Sequence, residues 1–288
     1  MGLRTLAIVR CGDKSLHRSW TGEIKDARGF DVAISYFGSN EDLTFSEANY
    51  IHRKKAGKWD GIYDFFQEFP ETLERYDYFW LPDDDIEATP ETVRKMIELA
   101  DKHQLAAAQP ALSHESYYSH LITLRHPQYE VRYTNFVEIM VPLLSQETMK
   151  RSLPKFAKTK SGFGLDFIWG KWAEASGEKI GIIDAVEVFH TRPVGGDLHK
   201  MIAKTGDSSN SELAIELQGE HVDGAAVLDG VSVPRIKVLE GVTSNYENVS
   251  SNLGIAWSLL QFGWKSSSQL QQKSTAVNLG RYALKHVI

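Results

Sequence analysis

Residues 76–85 read Tyr76-Asp77-Tyr78-Phe79-Trp80-Leu81-Pro82-Asp83-Asp84-Asp85, an apolar aromatic run halted by a proline and followed at once by three carboxylates. The run has the composition of a buried strand, and proline, which cannot donate to a ladder, marks its end. In open α/β sheets ligands sit outside the carboxyl ends of the strands, which is where the triplet falls. Three adjacent anions repel one another. A divalent cation relieves that repulsion, because Mn2+ and Mg2+ favour carboxylate oxygens and complete their shells with substrate phosphates. A competing reading makes the aspartates caps of the next helix. Spacing weakens it, since that helix has its own start signal in Thr89, Pro90 and Glu91. A further competitor is the nucleophile motif of haloacid-dehalogenase-like phosphatases, which wants Thr or Val where this chain has Glu87.

Short apolar runs of the same kind recur at residues 5–9, 30–37, 105–109, 137–141, 180–183 and 186–189. Helical spacing falls between them, at 59–69 and at 93–103, where Val93, Met96, Ile97 and Ala100 share a face. The alternation predicts an α/β protein with helices packed on a sheet. Beyond about residue 200 the composition shifts. Gly206-Asp207-Ser208-Ser209-Asn210-Ser211 reads as a linker, dividing the chain into a domain over 1–200 and a C-terminal appendage over 201–288. The appendage is expected to hold a helix over 275–286 and apolar anchors at Trp257, Leu259, Leu260 and Phe262.

At 288 residues and 42% hydrophobic content the chain can bury a large core. A net charge of -6 gives no broad basic field, which argues against nucleic acid as a partner. The single cysteine, Cys11, rules out an internal disulfide and any multi-cysteine zinc site, in keeping with a cytoplasmic location. No apolar stretch reaches membrane-spanning length, and the run at 6–9 is too short for a signal-peptide core.

Two further stretches carry chemistry. Ser161-Gly162-Phe163-Gly164-Leu165-Asp166-Phe167-Ile168-Trp169 places an acid just after a glycine-rich turn at a helix start. Asp166 could accept a proton from an attacking hydroxyl or cap the helix, and the residues alone leave both readings open. The second stretch, residues 179–193, is an apolar strand ending in His190, then Arg192, with a Gly195-Gly196 pair beyond. A lone histidine is more often structural than a ligand. At a strand end, however, its imidazole could complete a metal shell begun by Asp85, and Arg192 could meet a diphosphate with a bidentate hydrogen bond.

Taken in order along residues 5–200, these blocks resemble domain-of-unknown-function family 707, whose members look like GT-A glycosyltransferases. The stretches that carry the resemblance are residues 12–20, 30–38, 78–86, 109–112, 136–142, 162–166 and 181–190. The resemblance implies a GT-A-like, Rossmann-like mixed sheet that binds a nucleotide-diphospho-sugar donor. Asp83 and Asp85 would form the Asp-x-Asp motif, and His190 the later metal or diphosphate ligand. Asp83 or Asp84 would support the nucleotide side, Asp166 would be the catalytic base, and Arg10, Gly12, Asp13 and Lys58 would lie near the nucleotide. Glu138 and His120 would face the acceptor.

The expected activity is metal-dependent transfer of a sugar, with Mn2+ or Mg2+, to a hydroxyl of a glycan or lipid-linked acceptor, with inversion favoured. A lipid-linked acceptor would bring peripheral membrane contact, though no basic amphipathic helix marks such a face. A nucleotide-sugar or carbohydrate-binding protein without turnover, and a metal-dependent phosphohydrolase, are the alternatives; the identity of the product separates all three.

Overall fold

Strand β1 (Thr5–Cys11) is buried along its whole length, as a strand covered on both faces must be. Its side chains alternate between two cores: Leu6 and Ile8 enter one, and Ala7, Val9 and Cys11 the other. The structure is a computed structural model that describes residues 3–22, 28–194, 226–228, 231–233 and 236–250. The linker at 206–211, the helix expected over 275–286, the anchors Trp257, Leu259, Leu260 and Phe262, and the Gly195-Gly196 pair lie outside the described residues.

After β1 come the short helix α1 (Arg18–Thr21), β2 (Asp31–Tyr36), β3 (Tyr50–Arg53), helices α2 (Lys58–Glu68) and α3 (Thr72–Arg75), and β4 (Tyr78–Trp80). All four strands run parallel in the spatial order β3-β2-β1-β4, half of a Rossmann-like sheet. The chain continues through β5 (Ile86–Glu87), α4 (Pro90–Lys102), β6 (Leu105–Leu112), β7 (Tyr129–Thr134), β8 (Leu143–Ser145), α5 (Gln146–Phe156), α6 (Leu165–Ser176) and β9 (Lys179–His190). Strand β8 enters antiparallel between β4 and β6, β9 lies parallel to β6, and β7 is antiparallel to β9, so the sheet is mixed.

Helices cover both faces. On one, Trp59, Ile62 and Phe65 of α2, Phe156 of α5 and Trp169 of α6 form a continuous core, with the Trp59 and Phe156 rings 4.6 Å apart. On the other, Val93, Met96 and Ile97 of α4 pack with Trp20 and Trp80, whose rings meet edge to face at 4.8 Å. Each such side chain, fully buried, contributes about 1.5–3 kcal/mol. The start signal of α4 works as read: Thr89 is the N-cap, its hydroxyl accepting from the Thr92 amide, and Pro90 opens the helix.

Two expectations change. The apolar run at 137–141 is not a strand but a buried loop, because its backbone groups are taken by neighbours other than a ladder. The Glu138 amide donates to Gln109 Oε1, the Met140 carbonyl accepts from the Asp83 amide, and the Pro142 carbonyl accepts from the Leu81 amide. The runs at 180–183 and 186–189 belong to one strand, β9. Its register against β6 slips from Ile183 to Glu187, and there Asp184 turns inward to a buried pair with Arg132 at 2.6 Å.

Beyond residue 200, β10 (Ala226–Leu228) and β11 (Val231–Val233) form a separate antiparallel pair. Strand β12 (Val238–Thr243) pairs antiparallel with β7 and carries β13 (Asn248–Val249) beside it, so the main sheet extends past residue 200. Among the described residues, no helix is long and apolar enough to cross a membrane.

Candidate active site

Pro82 ends β4, and the amides on either side of it, Leu81 and Asp83, donate to the 140–142 loop, so the acidic triplet leaves the sheet on a fixed path. Ile86, the residue directly after the triplet, pairs antiparallel with His190, the last residue of β9. That bridge brings Asp85 to the histidine. Asp85 Oδ2 lies 3.2 Å from His190 Nε2, and the Asp85 carbonyl accepts from both the amide and the hydroxyl of Thr191. Both residues are buried, at 7% and 4% exposure, where an unpaired charge would be costly.

Asp83, Asp85 and His190 each turn one ligand atom into the same space, all within 4.8 Å of one another. The donor set fits a divalent ion. His190 Nδ1 lies 2.7 Å from the Tyr117 carbonyl and must carry the proton there, so Nε2 has a lone pair facing the carboxylates when the ring is neutral. One nitrogen among oxygens suits Mn2+ better than Mg2+. Ser116, which sequence reading did not single out, fixes the same histidine by accepting from its backbone amide at 3.1 Å.

Asp84 points elsewhere. One of its oxygens accepts from the Gly12 amide at 3.0 Å and the other from Arg192 Nη1 at 3.0 Å, while its carbonyl accepts from the Leu16 amide. Arg192 Nη2 donates to the Lys14 carbonyl. Asp84, Gly12 and Arg192 therefore clasp the loop after β1 to the end of β9. Lys58 Nζ donates to Asp83 Oδ1 at 2.6 Å and to the carbonyls of Ile139 and Met140, which engages all three of its hydrogens inside the protein.

Asp166 sits in the first turn of α6, behind Gly162 and Gly164, both of positive φ. Glycine is required at 162, where a Cβ would fall 1.9 Å from Trp59 Nε1. The N-cap itself is Gly164, and Asp166 stands two residues beyond it in the first turn. Oδ1 accepts from the Gly164 and Phe167 amides, as a helix-start acid does. Burial nevertheless pushes its carboxyl up to about 7, against the pull of those amides. Glu138 is also buried, at 4% exposure, and pushed up to about 8, first by burial and then by the charge of Asp166, with Ser119 and His190 opposing.

Of the remaining predicted residues, His120 packs its ring 4.8 Å from Phe136, which in turn meets Phe167 of α6. Asp13 is exposed and accepts from the Tyr36 hydroxyl. Arg10 is withdrawn from any ligand. It is buried, and its guanidinium donates to the carbonyls of Ser35, Lys54, Ala56 and Gly57 and to the Ser35 hydroxyl, holding the turn into α2. Gln109, inside β6, is the other polar residue that sequence reading passed over. A polar side chain in a fully buried strand is the signal, and here it holds the Glu138 loop.

Fold and site thus define an α/β protein whose mixed sheet gathers an Asp-Asp-His cluster and two buried acids. The model of the family described as Protein of unknown function (DUF707) matches residues 36–220, more than half of the chain, and the protein belongs to that family. The match begins after the loop that holds Gly12 and Asp13. No curated protein sequence matches the chain. Among solved structures, the chain is similar to S. aureus TarS 1-349 in complex with UDP-GlcNAc, at 10% identity and a TM-score of 0.48, covering 99% of this chain and 80% of that one. The complex of the same TarS fragment with UDP gives 10% identity and a TM-score of 0.45, covering 98% and 81%. No residue role is carried over from either.

Proposed function

We propose that the protein is a metal-dependent glycosyltransferase that uses a nucleotide-diphospho-sugar donor. The observation that carries this reading is the convergence of Asp83, Asp85 and His190 at the ends of β4 and β9, beside Asp166 and Glu138. Asp83, Asp85 and His190 would hold Mn2+ or Mg2+, which when bound supplies Lewis-acid stabilisation of the diphosphate leaving group. Lys58 fixes Asp83, and the Asp84–Arg192 clasp shapes the wall on the nucleotide side.

Asp166 is the proposed base. With Oδ1 held by two amides, Oδ2 is the oxygen that meets the acceptor hydroxyl, and a pKa of about 7 is matched to taking a proton near neutrality. Direct attack on the face opposite the leaving group gives inversion. The acceptor is a hydroxyl of a glycan or of a lipid-linked sugar, the latter reached from the cytoplasmic side with peripheral membrane contact. Beyond supplying β12 and β13 to the sheet, the 201–288 segment is proposed to serve that contact or a partner.

The test is product identification with UDP-GlcNAc and a panel of other nucleotide-sugars, with and without Mn2+. A transferase releases nucleoside diphosphate and a glycosylated acceptor of inverted anomeric configuration. Release of inorganic phosphate or nucleoside monophosphate overturns the reading in favour of a phosphohydrolase, and binding without turnover in favour of a sugar-nucleotide receptor.

A further inference from the structure

The buried carboxylate of Asp184 shows how such a group is satisfied inside this fold. Asp184, with no exposure, takes both Nε and Nη2 of Arg132 and the His126 amide. Glu138 differs: its Oε2 is buried and has no hydrogen-bond partner. A buried acceptor left unmade in a native structure calls for an explanation, and a ligand that completes it is one. The loop carrying it is not loose. The Glu138 amide is held by Gln109 Oε1 at 2.6 Å, and the next two carbonyls by Lys58.

The surroundings say what kind of ligand fits. Lys58 Nζ ties the Glu138 loop to Asp83 through the Ile139 and Met140 carbonyls, and the charges that act on Glu138 are those of Asp166, His190 and Asp83, so it lies near both the metal corner and the proposed base. On the nucleotide-sugar reading above, on which this inference rests, the diphosphate occupies the first position and the acceptor hydroxyl the second. The group between them is the sugar being transferred. We propose that Glu138 is the residue that recognises the donor's sugar, its carboxyl hydrogen-bonding a ring hydroxyl through Oε2, rather than a residue of the acceptor side. A carboxyl held at about 8 keeps its proton at neutral pH and can both donate to and accept from a hydroxyl.

The experiment is titration calorimetry with Mn2+ present on wild type, Glu138→Ala and Glu138→Gln. The probes are UDP, GDP, ADP and dTDP and their glucose conjugates, with UDP-GlcNAc added. In Glu138→Ala the parent nucleoside diphosphate should bind as in wild type while its sugar conjugate weakens by about 10–100-fold. Glu138→Gln, which keeps a donor and an acceptor, should recover most of that loss. In wild type, one monodeoxy form of the bound sugar should lose a similar factor, a measurement independent of whether the alanine variant folds. Equal weakening of nucleotide and conjugate, or monodeoxy conjugates that all bind like the parent, overturns the role of Glu138. A wild-type protein that binds none of the probes overturns the nucleotide-sugar reading beneath it.

Discussion

Asp166 and Glu138 are acids that the fold keeps protonated far above their usual range, and each gives a separate test. If Asp166 takes the acceptor's proton, Asp166→Asn lowers kcat by about 10²–10⁴-fold while nucleotide binding persists, as steady-state rates and calorimetry on one preparation would show. A variant with unchanged kcat removes Asp166 from the chemistry. Both acids also shape stability. In the unfolded chain they ionise near about 4, and in the folded protein only near about 7 and about 8. Between those limits the folded state binds the extra protons, so their contribution is full below pH 4 and is lost as pH rises through 7 to 8. Glu138→Gln should therefore raise the melting temperature by more at pH 8 than at pH 5; an equal effect at both contradicts the assignment. At this scale the meeting of Asp83, Asp85 and His190 was legible, because Asp85 and His190 each follow a run of strand residues and strand ends lie together at one edge of the sheet. The role of Arg10 was not, because nothing local reveals that four carbonyls from elsewhere in the chain will surround its guanidinium.

At the scale of elements, the loop at 136–142 and the turn before α6 build the site between them. Val137, Met140 and Val141 are buried as deeply as strand residues, and a short apolar run reads the same way whether it enters a ladder or a buried loop. Only the partners decide, and those are Gln109, Lys58 and the strand end carrying the triplet. Strand β7 escaped notice for a related reason: Glu130 and Arg132 look solvent-facing in the sequence but are buried against Lys102, His103 and Asp184. The glycine-rich turn, by contrast, was visible, and Gly162 has a measurable reason to be there. Gly162→Ala meets both a positive φ of 78° and the Trp59 ring. It should cost about 2–4 kcal/mol in urea unfolding. A loss of a few tenths would mean the turn relaxes freely.

For the whole molecule, the alternation of apolar runs and helical spacings was enough to place helices on a sheet, and the mixed strand order follows from β8 and β7 entering against the parallel half. What composition could not show is that the chain after residue 200 returns to the sheet. The linker signal at 206–211 suggested an appendage, yet β12 covers the edge of β7. A chain ending at residue 200 would leave β7 with an open row of backbone donors and acceptors. Such a chain should melt lower and self-associate on size-exclusion chromatography, whereas a monomer with the full-length melting temperature would show that β12 is dispensable.

The proposed function stands on Asp83, Asp85 and His190 holding a cation that binds the donor's diphosphate. Its most direct test is calorimetric titration of UDP and the other nucleoside diphosphates into wild type and Asp85→Asn, each with and without Mn2+. A nucleoside diphosphate should bind wild type only with Mn2+, and Asp85→Asn should lose that binding while keeping the wild-type circular dichroism spectrum. Nucleotide binding that is indifferent both to Mn2+ and to Asp85→Asn would contradict it.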